Sequence, residues 1–408
     1  MTTPTLAEIE DAAEALRGVI VRTPLEESDH LSELLGVPVQ LKLENLQRTG
    51  SFKIRGATYR LSRLTPEERA RGVVAASAGN HAQGVALAAQ KLGIAATIFM
   101  PLGVPVPKLM ATRGYGADVI LEGDTVETPL RLAAEFAERT GAVLIHPFDH
   151  ADVIVGQGTL GLELWDDVPD LDTVILGIGG GGLAAGVAAA VKARAAAEGR
   201  TVRVIGVQAA NSAAYPSSLQ AGHPLAVATT PTIADGIAVA RPGDVPFEII
   251  RELVDDVVTV TDDDIARALL LLLERAKQVV EPAGAAGVAA ILAGKVQASG
   301  TTVVVLSGGN IDPLLLQRVV SHGLAASGRY MTLQIPLPDR PGQLARVSEL
   351  LSIAGANVIE VLHTRHGQGL QISEVILQLS VETRGTEHRA LVIKTLEDAG
   401  YTATILPD

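Results

Sequence analysis

Short apolar runs that end in Gly, Ser or Asn alternate with helix-patterned stretches along most of this chain, and no other feature restricts its fold as much. VVAASAG (73–79) precedes a helical pattern at about 81–92, IAATIFM (94–100) one around 107–114, and ADVILEG (117–123) one around 126–140, with AVLIHPF (142–148) next. Runs that are apolar at every position describe strands covered on both faces, and strand–helix alternation predicts a parallel sheet with helices on either side. A hydrophobic share of 47% with only 3% aromatic residues fits cores built from Ala, Val, Leu and Ile.

The alternation resumes with TVILGIGGGGLAAGVAAAVKA (173–193), a strand, a glycine turn and a helix, and with VRVIGVQ (202–208). Residues 209–245 hold prolines without a clean period, which predicts loops shaping a site or an interface. Thr261, followed by Asp262, Asp263 and Asp264, opens the long helix IARALLLLLERAKQ, with acids at the end the helix dipole favours. A small-residue helix, EPAGAAGVAAILAG, and a buried strand, TTVVVLSGGN, complete the region. After the linker candidate GLAASGRY (323–330) the order becomes strand, helix, strand, strand, helix, strand, with HGQG as the turn between adjacent strands. That is a ferredoxin-like βαββαβ module. The expected domains are 1–322, with a smaller subdomain at about 45–150 inserted in a larger one, a linker at 323–330, and 331–408.

Composition narrows the function. A formal charge of -13 reverses the attraction that nucleic acid and anionic membranes offer basic proteins. There is no cysteine, hence no disulfide or thiolate chemistry, and no apolar run near eighteen residues. The expectation is a cytoplasmic protein with a small-molecule ligand.

Four turns carry candidate chemistry. In RTGSFKIRGA (48–57), Ser51 reads as an N-cap and Lys53 as a first-turn residue, where helix dipole and burial both bias the side chain toward the neutral amine that Schiff-base chemistry needs. Gly177-Ile178-Gly179-Gly180-Gly181-Gly182 follows a strand and opens a helix, offering backbone N–H groups to a phosphate. It satisfies G-x-G-x-x-G, but the next strand ends in Gln208 where a dinucleotide site needs an acid, so the nicotinamide reading loses its second element. Ser77-Ala78-Gly79-Asn80-His81 is suited to a carboxylate, and Ser307-Gly308-Gly309-Asn310 ends a strand where open α/β sheets place ligand contacts. Each of these two is also an ordinary turn when taken alone, and Glu281 alone is a weak signal.

RTGSFKIRGA, SAGNHAQG, GIGGGGLAAG, TIADGIAV, EPAGAAG and LSGGN, in this order, closely resemble the fold-type-II (tryptophan-synthase-β-like) pyridoxal-phosphate enzymes, and among them the threonine dehydratases. DRPGQLARVSELLSIAGANVIEV resembles an ACT domain. The resemblance spans nearly the whole chain. It implies an α/β catalytic region of two open parallel-sheet subdomains plus the ACT module, and β-elimination of water from L-threonine to give 2-oxobutanoate and ammonia, with serine as a secondary substrate.

On the matching residues it implies that Lys53 carries pyridoxal 5'-phosphate and moves the α-proton, with Phe52 beside it. Gly179, Gly180, Gly181, Gly182 and Leu183 would cradle the phosphate, Asn80 would meet the ring hydroxyl, Ser307 would face the ring nitrogen, and Ser77 to His81 would hold the substrate carboxylate. Ala78 stands where serine-racemising relatives place a hydroxyl. Gln208, Ala213 and Ala214 replace the carboxylates of relatives with a divalent-cation site, so no metal is expected. The ACT module implies a branched-chain amino-acid effector and a homo-oligomer, dimer or tetramer. Other readings are a serine dehydratase or a β-replacement enzyme, and, in a different class, an inactive amino-acid sensor.

Overall fold

In the computed structural model, which describes residues 3–124, 127–326, 328–365 and 373–406, the apolar runs become strands of two largely parallel sheets, with ADVILEG and AVLIHPF at the edges of the smaller one. The larger has the order Leu25–Glu27, Val39–Lys42, Thr301–Val305, Leu171–Gly177, Arg203–Ala209, Asp256–Val260, parallel throughout except its first pair. All of Thr301–Val305 and nearly all of Leu171–Gly177 are buried, as strands covered on both faces must be. The smaller sheet has the order Asp118–Leu121, Ala96–Met100, Val73–Ala76, Val143–Leu144, all parallel. Its strands all fall, in sequence, between Val39–Lys42 and Leu171–Gly177 of the larger sheet.

The helix Ala151–Asp167, which the sequence pattern did not announce, connects these sheets. Its glycines serve close packing. A Cβ on Gly156 would lie 2.7 Å from Gly56 Cα, so this helix crosses Lys53–Ser62 in backbone contact. The expected loops at 209–245 contain the helix Ala214–Ala221 and the start of Asp244–Leu253. Thr261 does cap its helix in a reciprocal capping box with Asp264, but regular α-helix stops at Leu271 and a π-helical turn, Leu272–Ala276, finishes it.

The chain divides into two compact units, Met1–Asp312 and Pro313–Asp408. The helix Pro313–Ala326 belongs to the second unit and takes up the first half of the expected linker. The helix runs through Gly323, and Gly328, with a φ of +68°, follows just beyond its end. The second unit continues with an antiparallel sheet in the order Asn357–Thr364, Glu374–Glu382, Tyr330–Pro338, Thr404–Leu406, and helices Gln343–Ile353 and Thr386–Asp398. Met331, Leu333, Ile335 and Leu337 alternate into its core, giving the βαββαβ order. The HGQG turn lies outside the described residues. Among those described, no helix is long and apolar enough to cross a membrane.

Candidate active site

Lys53 is the first residue of its helix, but Ser51 is not the cap. Phe52 occupies that position in αR conformation with no side-chain capping bond, and Ser51 is drawn away to bridge Gly308 at the end of the central strand. The Phe52 N–H donates to Ser307 O at 3.1 Å and the Gly309 N–H to Gly50 O at 2.8 Å. Backbone pairing to a neighbouring strand thus displaces local capping. The result suits the lysine: an uncapped helix start keeps its partial positive charge.

Lys53 Nζ donates to the Pro147 carbonyl at 2.9 Å. A carbonyl supplies no full counter-charge, so burial lowers the ammonium to about 8, against the opposing pull of Glu281. Adjacent Phe148 covers the glycine turn: a Cβ on Gly180 would sit 2.3 Å from its ring, and one on Gly182 would sit 3.1 Å from Phe148 Cα. Pro147 and Phe148 therefore bring the lysine and the glycine turn together.

Gly181 caps the helix Gly182–Ala197 at φ +105°, with Tyr215 Oη 2.0 Å from where its Cβ would be. Tyr215 Oη and the Gly243 N–H both donate to Gly180 O, at 3.2 and 3.1 Å. Gln208, the residue that failed the dinucleotide pattern, donates to Ile178 O at 3.3 Å and accepts from the Tyr215 N–H at 2.8 Å. The turn is thus held by its carbonyls from behind. The N–H groups of Gly179 to Leu183 have no acceptor among the described residues. Unpaired donors at a rigid helix start fit a phosphate.

The Ser77 hydroxyl accepts from the Gly79 N–H at 3.1 Å, leaving the amides of Asn80, His81 and Ala82 to the first turn of Asn80–Leu92. His81 Nε2 lies 2.8 Å from Ile145 O, so that nitrogen carries the proton, and burial with the nearby Lys53 lowers the imidazole to about 3. It is a neutral structural group. Asn80 Nδ2 donates to Glu281 Oε1 at 2.6 Å, and Asn310 Nδ2 donates to Asn80 Oδ1 at 2.7 Å. Burial and Asp235 push Glu281 up to about 7, opposed by Lys108, Asn80 and Lys53. Ser307 is 5% exposed beside this cluster.

The expected residues Phe52, Lys53, Ser77, Asn80, Gly179–Leu183 and Ser307 thus occur on segments bonded or packed to one another. Residues with no sequence signal join them. Lys108 pairs with Asp235 at 3.1 Å, and its Nζ would be 3.4 Å from a Gly79 Cβ. Asp235 stood inside TIADGIAV without an assigned role. Asn310 and Glu281 were visible only as turn and helix-start residues.

Beneath the lysine lies a second group of buried charges. Arg55 makes two bonds to Glu44, both 2.8 Å, and one to Glu163 at 2.7 Å; Lys42 meets Glu163 at 2.8 Å and Asp167 at 3.3 Å. Lys42, Glu44 and Arg55 are wholly buried. Burial opposes both charges of the Arg55–Glu44 pair, yet mutual attraction leaves Arg55 raised and Glu44 lowered from their ordinary values.

Residues 16–308 match the pyridoxal-phosphate dependent enzyme family and residues 331–400 the ACT domain. An L-threonine ammonia-lyase of Thermotoga maritima is 46% identical over 98% of this chain and 99% of its own. A threonine deaminase isoform 2 from Solanum lycopersicum superposes with TM-score 0.73 at 38% identity, covering 78% of this chain and 93% of that one. The maize serine racemase structure also gives 0.73, at 36% identity, covering 80% and 99%. With most of the chain matching that family and a relative this similar over nearly its whole length, the chain belongs to the pyridoxal-phosphate-dependent enzymes and carries an ACT domain after its catalytic region.

Proposed function

We propose that this enzyme is a threonine ammonia-lyase, eliminating water from L-threonine to give 2-oxobutanoate and ammonia, with serine as a secondary substrate. The observation that carries the reading is Lys53: a first-turn lysine whose only hydrogen-bond partner among the described residues is a carbonyl, lowered to about 8. When bound, pyridoxal phosphate supplies the electron sink for charge developing at the substrate α-carbon. Lys53 and Phe52 would flank it, Gly179 to Leu183 would hold its phosphate, Asn80 its ring oxygen and Ser307 its ring nitrogen.

The protein's own work is then legible. The free amides of Asn80, His81 and Ala82 receive the substrate carboxylate, and Ser77 organises that turn by taking the Gly79 N–H. His81, held neutral, adds no competing charge. The Lys53 amine takes the α-proton, with a pKa matched to that task near neutrality. The Ser307 hydroxyl cannot hold a ring nitrogen protonated as a carboxylate would, which disfavours a long-lived carbanion and supports prompt loss of the β-hydroxyl. Ala78 offers no proton to the opposite face of the α-carbon, which supports elimination over racemisation. The released enamine hydrolyses to the keto acid and ammonia.

The ACT domain's role belongs to the same proposal: a branched-chain amino acid binds at the Asp339–Gly342 turn ahead of Gln343–Ile353 and controls activity in a dimeric or tetrameric cytoplasmic enzyme. The deciding experiment supplies the purified protein with pyridoxal phosphate and either L-threonine or L-serine and follows keto-acid release. Faster 2-oxobutanoate formation from threonine is expected. A lysine-bound absorbance band without keto acid would move the assignment to a replacement reaction, and isoleucine binding with neither would move it to a sensor.

A further inference from the structure

The amide of Asn80 belongs to a hydrogen-bond chain whose direction is decided at one end. Asn310 Nδ2 lies 2.7 Å from the Thr49 carbonyl oxygen and 2.7 Å from Asn80 Oδ1. A backbone carbonyl only accepts, so the Asn310 atom beside it has to be the nitrogen. That nitrogen also faces Asn80, which must therefore present its oxygen, since a turned-over Asn80 would set one NH₂ group against another. Asn80 Nδ2 is left pointing to Glu281 Oε1, 2.6 Å away. One of its two hydrogens is used there, and the other has no acceptor among the described residues.

The ends of the chain are anchored. A Cβ on Gly50 would lie 2.3 Å from Asn310 Oδ1, and one on Gly308 would lie 2.2 Å from Glu281 Oε1. The Glu281 N–H is itself bonded to Gly308 O at 3.0 Å. Both ends are thus packed directly against backbone, Asn310 on the lysine turn and Glu281 on the strand end.

We infer that Asn310 is a positioning residue that fixes Asn80 as a hydrogen-bond donor, rather than an acceptor, toward the ring oxygen of the bound cofactor. The inference rests on the reading that the cofactor lies between Lys53 and Asn80. A donor at that position favours the deprotonated ring oxygen; an acceptor would favour the hydroxyl. Asn310 thereby links the lysine turn, through Thr49, to the electronic state of the ring without touching it.

The test compares wild type, Asn310→Asp and Asn80→Asp as holoenzymes at one neutral pH, reading the ratio of deprotonated to protonated cofactor absorbance forms and the dissociation constant of pyridoxal phosphate. An aspartate at 310 has the same size but donates to neither Thr49 nor Asn80, so the Asn80 amide turns over. The ratio should move toward the protonated form, and the cofactor should bind about tenfold more weakly. A folded Asn310→Asp enzyme with the wild-type ratio and affinity overturns the inference. Should that variant not fold, Asn80→Asp decides, because a carboxylate keeps the acceptor for Asn310 but offers the ring only oxygen. The same spectral shift is expected there, and unchanged or tighter cofactor binding overturns the inference. A wild-type protein that forms no lysine-bound band contradicts the cofactor reading itself.

Discussion

Lys53 and Arg55 stand two residues apart on one helix, both drawn into the interior, and they meet opposite fates. Arg55 has two carboxylates, Glu44 and Glu163, within 2.8 Å, and its charge is held. Lys53 has a carbonyl at 2.9 Å and more distant Glu281, and its charge is partly given up. The contrast shows that burial alone does not decide chemistry. A compensated cation fixes structure, and an uncompensated one becomes a base. Residue type follows the same division: guanidinium pairs bidentately and never deprotonates, whereas an ammonium yields its proton when desolvated.

The largest effect should come from removing the amine. Lys53→Ala is expected to lower threonine turnover by more than about a thousandfold and to abolish the lysine-bound absorbance band. Retention of the full band would break the comparison at its functional end. At the structural end, Arg55→Met leaves Glu44 buried without its partner, and the variant should lose about 3–5 kcal/mol in denaturant unfolding. A loss near zero would mean that the ion cluster does not anchor this helix.

The apo-protein's pH dependence sharpens the contrast. Lys53 is lowered from 10.5 to about 8 in the folded state, so between those values the unfolded chain binds more protons. Stability contributed by this group therefore rises with pH across that window, and Lys53→Met should flatten the rise. An unaltered slope would say that the ammonium is solvated. The smallest expected effect is Thr23→Val: it removes the 2.6 Å bond from Thr23 Oγ1 to Glu44 Oε1 and should cost about 1 kcal/mol, read in the same denaturant experiment.

The sequence displayed one half of this contrast and concealed the other. The glycine turn, Asn80 and Ser307 lie just past strand ends next to glycines, and such ends are visible because apolar runs stop there; Lys53 was visible through the turn ahead of its helix. Arg55 was visible only as part of IRGA. Its partner Glu163 lies 108 residues away, on a helix that the sequence pattern did not announce. Pairing across that distance has no periodic signature. The Lys108–Asp235 and Asn80–Glu281 contacts were hidden for the same reason, with separations of 127 and 201 residues. Ser51 failed as a cap because a nonlocal strand pairing prevailed over a local propensity that was otherwise well placed. The βαββαβ tail was legible because its two long inner strands, Tyr330–Pro338 and Glu374–Glu382, alternate on their own.

The most direct test of the uncompensated lysine is the rate at which the apo-protein captures pyridoxal phosphate, followed as growth of the lysine-bound absorbance band across pH. Only the neutral amine attacks the aldehyde, so the rate should rise to half its maximum near pH 8, the value burial imposes on Lys53. A midpoint near 10.5, the ordinary lysine value, would contradict the account.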